Sequence, residues 1–139
     1  MNRQFVIVVA DDDVDDQELI RHGFEDCKAD VAIITVYDGI KLMDFLLKRH
    51  TFRDVTETAD LILLDLNMPL MDGFEVLKQI GKYPQLKKTP IYVITTSRND
   101  VHRSMALELG ATGFYSKGAS SQDIRRIMQQ ICQDCFEEG

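Results

Sequence analysis

Four short runs in this chain are apolar on both of the faces that a strand alternates between. They are Phe5-Val6-Ile7-Val8-Val9, Val31-Ala32-Ile33-Ile34-Thr35-Val36, Leu61-Ile62-Leu63-Leu64 and Ile91-Tyr92-Val93-Ile94. A strand greasy on both sides must be covered on both sides, which is the condition of a parallel sheet sandwiched between helices. Their shortness and their β-branched residues argue for strands over buried helix. A fifth and weaker run, Gly113-Phe114-Tyr115-Ser116, is polar enough for an edge strand.

Helical spacing fills the stretches between. Ile20, Phe24 and Cys27 form one apolar stripe, Ile40, Met43 and Leu47 a second, and Phe74, Leu77 and Ile80 a third. Val101, Met105 and Leu109 form a fourth, and Ile124, Ile127, Met128, Ile131 and Cys135 a fifth. Each stripe is expected to face the sheet. Capping-box spacing at Asp15 and Glu18, Asp72 and Glu75, and Ser120 and Asp123 marks helix starts, and Gly110 marks a stop. Pro84 and Pro90 bracket a turn-rich connection, and the polar segment 50–60 reads as a surface loop with a helical turn. Strand and helix thus alternate five times, and right-handed crossovers make such a chain a doubly wound α/β sandwich.

At 139 residues the chain fits one domain, here taken as 1–139. Its 23 acidic residues against 16 basic ones give a net charge of −7. That balance argues against a nucleic-acid or anionic-membrane partner, since both require clustered Lys and Arg. No apolar stretch approaches the ~20 residues of a membrane span, and no signal-peptide layout opens the chain. Cys27, Cys132 and Cys135 are few, odd in number and scattered, which suits a reducing cytosol. Cys132 and Cys135 read as a core-and-rim pair on one helix, not as a zinc or redox site. A cytoplasmic location is the expectation.

Ligands of open parallel sheets bind beyond the carboxyl ends of the strands. Strand one ends in Asp11-Asp12-Asp13, strand three in Asp65-Leu66-Asn67, strand four in Thr95-Thr96-Ser97 and strand five in Lys117-Gly118. Two carboxylates ~4 Å apart repel by about 4 kcal/mol at an effective dielectric of ~20, so acids gathered there must protonate, separate or share a cation. Mg²⁺ takes one or two carboxylates and a phosphate and keeps its remaining waters. Asp12 and Asp65 can supply the carboxylates and the Asn67 carbonyl a further oxygen. Lys117 can neutralise a phosphoryl group and Thr95 can hydrogen-bond it. An aspartate beside a divalent cation and a lysine is a competent phosphoryl acceptor. Asp13, Asp15 and Asp16 read as first-turn acids favouring the helix dipole.

Four segments in this order carry a specific resemblance. They are Val8-Val9-Ala10-Asp11-Asp12-Asp13, Leu63 through Gly73, Val93-Ile94-Thr95-Thr96-Ser97, and Gly113-Phe114-Tyr115-Ser116-Lys117. Over essentially its whole length the chain resembles the receiver domain of bacterial two-component response regulators. The Asp-rich start and Thr-Thr-Ser are similar to single-domain members that pair with phytochrome-type kinases. The resemblance implies a flavodoxin-like (βα)5 sandwich with a five-stranded parallel sheet of order 2-1-3-4-5. It implies that Asp65 is the phosphoacceptor, that Asp11, Asp12, Asp65 and the Asn67 main-chain carbonyl hold Mg²⁺ or Mn²⁺, and that Lys117 contacts the phosphoryl group. Thr95 and Phe114 take the places of the switch hydroxyl and the switch aromatic, with Phe114 rotating into space vacated as Thr95 moves inward. Gly118 stands where the family usually has proline. Implied partners are a sensor histidine kinase or phosphotransfer protein, a downstream protein, and a second copy meeting the face of the fourth helix, fifth strand and fifth helix. Two other classes compete. A phosphorylation-independent adaptor would be favoured had Asp65, Asp12 or Lys117 been missing. A phosphohydrolase commonly needs a second acid two residues after its nucleophile, and Asn67 stands there. The chain is therefore expected to be a signalling domain and not an enzyme acting on external substrates.

Overall fold

The computed structural model describes residues 4–118 and 120–136. Strand β1 (Gln4–Ala10) is flanked on both edges, by β2 (Asp30–Val36) and by β3 (Leu61–Leu64). Beyond β3 lie β4 (Ile91–Thr95) and then β5 (Gly113–Ser116), so the order is β2-β1-β3-β4-β5 with every pairing parallel. The intervening helices are α1 (Val14–Gly23), α2 (Gly39–Leu47), α3 (Gly73–Ile80), α4 (Asp100–Glu108) and α5 (Ser121–Phe136). Among the described residues no helix is long and apolar enough to cross a membrane.

The two apolar faces read from the sequence become two cores. Side chains alternate along a strand, so Ile7 and Val9 of β1 join Leu61 and Leu63 of β3 under α1 and α5, with Ile20, Ile124, Met128 and Ile131. Val8, Ala10, Ile62 and Leu64 point the other way, into a core closed by Leu42 and Phe45 of α2, Val76 and Leu77 of α3 and Ala106 of α4. The segment 50–60 carries the helical turn it was expected to, over His50–Phe52.

Helix ends follow local chemistry. The Asp72 carboxylate accepts from the Glu75 N–H at 2.9 Å, as its spacing foretold. Ser120 and Asp123 cap reciprocally, each side chain accepting from the other's backbone N–H, at 3.4 and 3.3 Å. Gly110, at φ 112°, lies just past α4. The cap of α1 differs from the reading: it is Asp13, not Asp15, whose carboxylate accepts from the Asp16 N–H at 3.0 Å. That helix also stops at Gly23, so Phe24 caps it and Cys27 lies outside the stripe assigned to it.

Two further expectations are corrected. The stripe Val101, Met105 and Leu109 is not the buried face of α4. Val101 is 63% and Met105 40% exposed, and Ala106 is the buried residue of the helix. The core-facing edge runs about one residue later, through half-buried His102, Ala106 and half-buried Leu109. Three features accompany this rotation: the His102 ring hydrogen-bonds Ser97 at 2.7 Å, it meets the Phe74 ring edge-on, and the small Ala106 is fully buried. The cysteines are not all free. Cys27 and Cys132 form a disulfide, with Cα atoms 6.0 Å apart, tying the turn after α1 to α5. The fold brings together residues separated by 105 positions, which spacing alone could not reveal. Cys132 is nonetheless in the core and Cys135 at its rim, as expected.

Candidate functional site

β1 and β3 carry their acids to one point by extending the ladder one residue past each strand. The Asp11 N–H donates to the Val36 carbonyl at 3.1 Å, and the Asp65 N–H to the Ala10 carbonyl at 3.0 Å. Both carboxylates are thereby buried at the sheet rim, while Asp12, next along, faces solvent. One carboxylate oxygen from each of Asp11, Asp12 and Asp65 lies within 4.8 Å of the others. The loop after Asp65 folds back tightly. The Gly73 N–H donates to the Leu66 carbonyl at 2.9 Å, and a Cβ at that position would stand 2.6 Å from the Asp65 carbonyl oxygen. Glycine is required there for close approach.

From the opposite side β5 delivers Lys117. Its backbone N–H donates to the Thr95 carbonyl at 2.6 Å, so the lysine leaves the sheet beside the end of β4. Its side chain is 4% exposed, and its ammonium donates to Asp11 Oδ2 at 2.7 Å, Asp16 Oδ2 at 2.7 Å and Asp65 Oδ2 at 3.2 Å. The remaining oxygens of the two rim acids accept from backbone: Asp11 Oδ1 from Asp13 N at 2.9 Å, Asp65 Oδ1 from Asn67 N at 3.3 Å. Thr95 is fully buried, and its hydroxyl accepts from the Ser97 N–H at 3.4 Å.

The charges are unevenly matched. One ammonium faces the carboxylates of Asp11, Asp16 and Asp65, with Asp12 alongside. Burial pushes the Asp11 carboxyl up to about 6, against the lowering pull of its hydrogen bond to Lys117. Burial also works against the charge on Lys117, but its hydrogen bonds to Asp11 and Asp16 and the charge of Asp65 outweigh it and hold the ammonium above its usual range. A small divalent cation among three oxygen donors is the chemistry this excess suits.

Of the residues singled out in the sequence, Asp11, Asp12, Asp65 and Lys117 meet at this rim, and Thr95 is joined to Lys117 through the backbone. Asn67 is exposed two residues beyond Asp65 and is linked to it by its own N–H. Phe114 lies elsewhere, buried in the core under α2, α3 and α4. Its ring lies inside the core in this conformation. Two contributors were missed. Asp16 grips Lys117 although it read as a first-turn acid. Gln17, which is buried, donates its amide to the carbonyls of Val9, Asp11 and Val36 at 3.0–3.1 Å, binding α1 to the ends of β1 and β2. The signal available was their place, one helical turn past the Asp11–Asp12 pair.

Residues 7–129 match the response regulator receiver domain. The chain belongs to that family. A curated relative, response regulator Rcp1 of Synechocystis sp. (strain ATCC 27184 / PCC 6803 / Kazusa), is 32% identical over 126 residues, spanning 91% of this chain and 85% of Rcp1. The structure of the phosphorylated cyanobacterial phytochrome response regulator RcpA superposes with a TM-score of 0.91 at 29% identity, covering 96% of this chain and 95% of that one. The Mn²⁺-bound form of Rcp1 gives 0.89 at 30% identity, covering 97% of both chains. The receiver fold, its strand order and its role in two-component phosphoacceptor signalling are thus those of this chain's family.

Proposed function

We propose that this receiver, spanning residues 1–139 as one cytoplasmic domain, takes a phosphoryl group onto Asp65 from the phosphohistidine of a sensor kinase or phosphotransfer protein. The observation that carries the reading is the convergence of Asp11, Asp12, Asp65 and Lys117 from β1, β3 and β5 on one rim. In the step, an Asp65 carboxylate oxygen attacks phosphorus, an acyl phosphate bond forms, and the phosphorus–nitrogen bond to the imidazole breaks. Asp11, Asp12, Asp65 and the Asn67 carbonyl are the residues that would hold Mg²⁺ or Mn²⁺. Such an ion would neutralise charge on the transferring oxygens. The Mn²⁺-bound form of Rcp1 and the phosphorylated state of RcpA support both halves of the reading.

Chain residues supply the rest. Lys117 donates to a phosphoryl oxygen from the side away from solvent. Thr95 turns its hydroxyl from Ser97 toward another oxygen, which alters the start of α4, because Ser97 also holds His102 through its hydroxyl and Ser116 through its carbonyl. Moving a two-state equilibrium from 1:99 to 99:1 takes ~5.5 kcal/mol of differential binding, and one charge-assisted hydrogen bond supplies about 1.5–3. Thr95 and Lys117 must therefore act together. The exposed Val101 and Met105 support α4, β5 and α5 as the face read by a downstream protein or a second copy.

Replacing Asp65 by Asn tests the assignment. Acid-labile, base-labile incorporation from phosphoramidate in the presence of Mg²⁺ is expected in the natural chain and absent in Asp65→Asn. Equal labelling of the variant rejects Asp65 as acceptor.

A further inference from the structure

We infer that Asp16 is a positioning residue, which holds the Lys117 ammonium beside Asp65 when a divalent cation occupies the cluster of Asp11, Asp12 and Asp65. The inference deepens the proposed role of Asp65 and rests on it.

An ammonium has three N–H donors, and all three of Lys117's are committed to carboxylates. The three acceptors differ in what else is asked of them. Asp11 and Asp65 belong to the cluster that could take a cation; Asp16 does not. Each of those two already directs Oδ1 at a backbone N–H, and Oδ2, the oxygen that meets Lys117, has a further lone pair on which a cation would also draw. A cation and an ammonium drawing on the same oxygens also repel one another. The bond donated to Asp16 ends on an oxygen outside that cluster, and it survives that competition.

Asp16 is placed to serve as a fixed post. It sits in the first turn of α1, with its N–H held by the Asp13 cap at 3.0 Å. Its neighbour Gln17 fastens the same turn to three strand-end carbonyls. Lys117 by contrast carries a flexible four-carbon stem, and the residue after it, Gly118, contributes no side chain to confine it. A Cβ at Gly118 would stand 2.1 Å from Asp123 Oδ2 and 2.3 Å from Asp123 Cβ, so the capping box of α5 requires glycine there. With that side closed to a confining residue, α1 supplies the restraint. The Asp16 side chain is 21% exposed against 4% for Lys117, so the ammonium is the more buried partner of the pair.

The experiment uses the full chain at saturating Mg²⁺ with phosphoramidate as donor, comparing Asp16→Ala, Asp16→Glu, Lys117→Ala and the double variant Asp16→Ala/Lys117→Ala. Loss of one charge-assisted contact predicts a phosphorylation rate lower by about ten- to a hundredfold in Asp16→Ala, with partial recovery in Asp16→Glu. The double variant should be no slower than Lys117→Ala alone, since Asp16 acts through Lys117. An undiminished rate in Asp16→Ala, or a further full loss in the double variant, overturns the inference. A second readout needs no phosphoryl transfer. The ¹⁵N-detected Lys117 ammonium signal should stay protected from solvent exchange in the Mg²⁺-saturated natural chain and disappear in Asp16→Ala, with the backbone amide spectrum retained. Its disappearance from the natural chain on adding Mg²⁺ also overturns the inference. If the natural chain takes no phosphoryl group while the ammonium signal behaves as stated, the assignment of Asp65 fails and the hold of Asp16 on Lys117 stands.

Discussion

The two helices that border β5's end of the molecule, α5 and α4, are attached in contrasting ways. Helix α5 drives Ile124, Met128, Ile131 and Cys132 into the core beside α1, is capped reciprocally by Ser120 and Asp123, and is tied to the turn after α1 by a disulfide and by the pair of Arg125 with Asp26. Helix α4 buries Ala106, is capped by Asn99, and leaves Val101, Met105 and Leu107 in water. Regions with few buried apolar contacts open at low free-energy cost. The contrast teaches where a switch can be built: the helix beside Thr95 and Ser97 is lightly seated, and the helix after Lys117 is anchored.

Substitutions can break or sharpen that contrast. The largest effect is expected from Met128→Ala in α5, whose side chain has no exposure; urea unfolding should show a loss of about 2–5 kcal/mol. Cys27→Ser should cost about 2–4 kcal/mol in non-reducing buffer by releasing the constraint on the unfolded chain, and the natural protein should lose the same amount on adding reductant. Asn99→Ala removes the acceptor for the N–H groups of Val101 and His102 at 2.8 and 3.4 Å. About 1 kcal/mol is the expected cost, with faster amide exchange confined to α4. The smallest effect is expected for Val101→Ser, within about 0.5 kcal/mol, because that side chain already faces solvent. If Val101→Ser proves as costly as Met128→Ala, the two helices are seated alike and the contrast is wrong.

Legibility in the sequence follows the same physical divide. β1 and β3 were readable because their side chains must satisfy two cores at once, a demand that few residue types meet. The rim acids were readable because strand ends converge in a parallel sheet, and position alone placed Asp11 and Asp65 together. The face of α4 was not readable, since Val101 and Met105 repeat as regularly as a core stripe while a histidine contact and a single alanine mark the rotation. The disulfide depended on contacts between residues far apart in the chain. Asp16 was obscured by a sufficient local explanation, the dipole of its own helix, although its carboxylate reaches a lysine 101 residues away.

One short bond has a mechanical corollary. The peptide of Lys117 hangs on the carbonyl of Thr95. The two side chains best placed to sense an arriving phosphate therefore share a hinge pin, and displacing either strand tip drags the other with it. Sensing by the hydroxyl and sensing by the ammonium become strokes of a single lever.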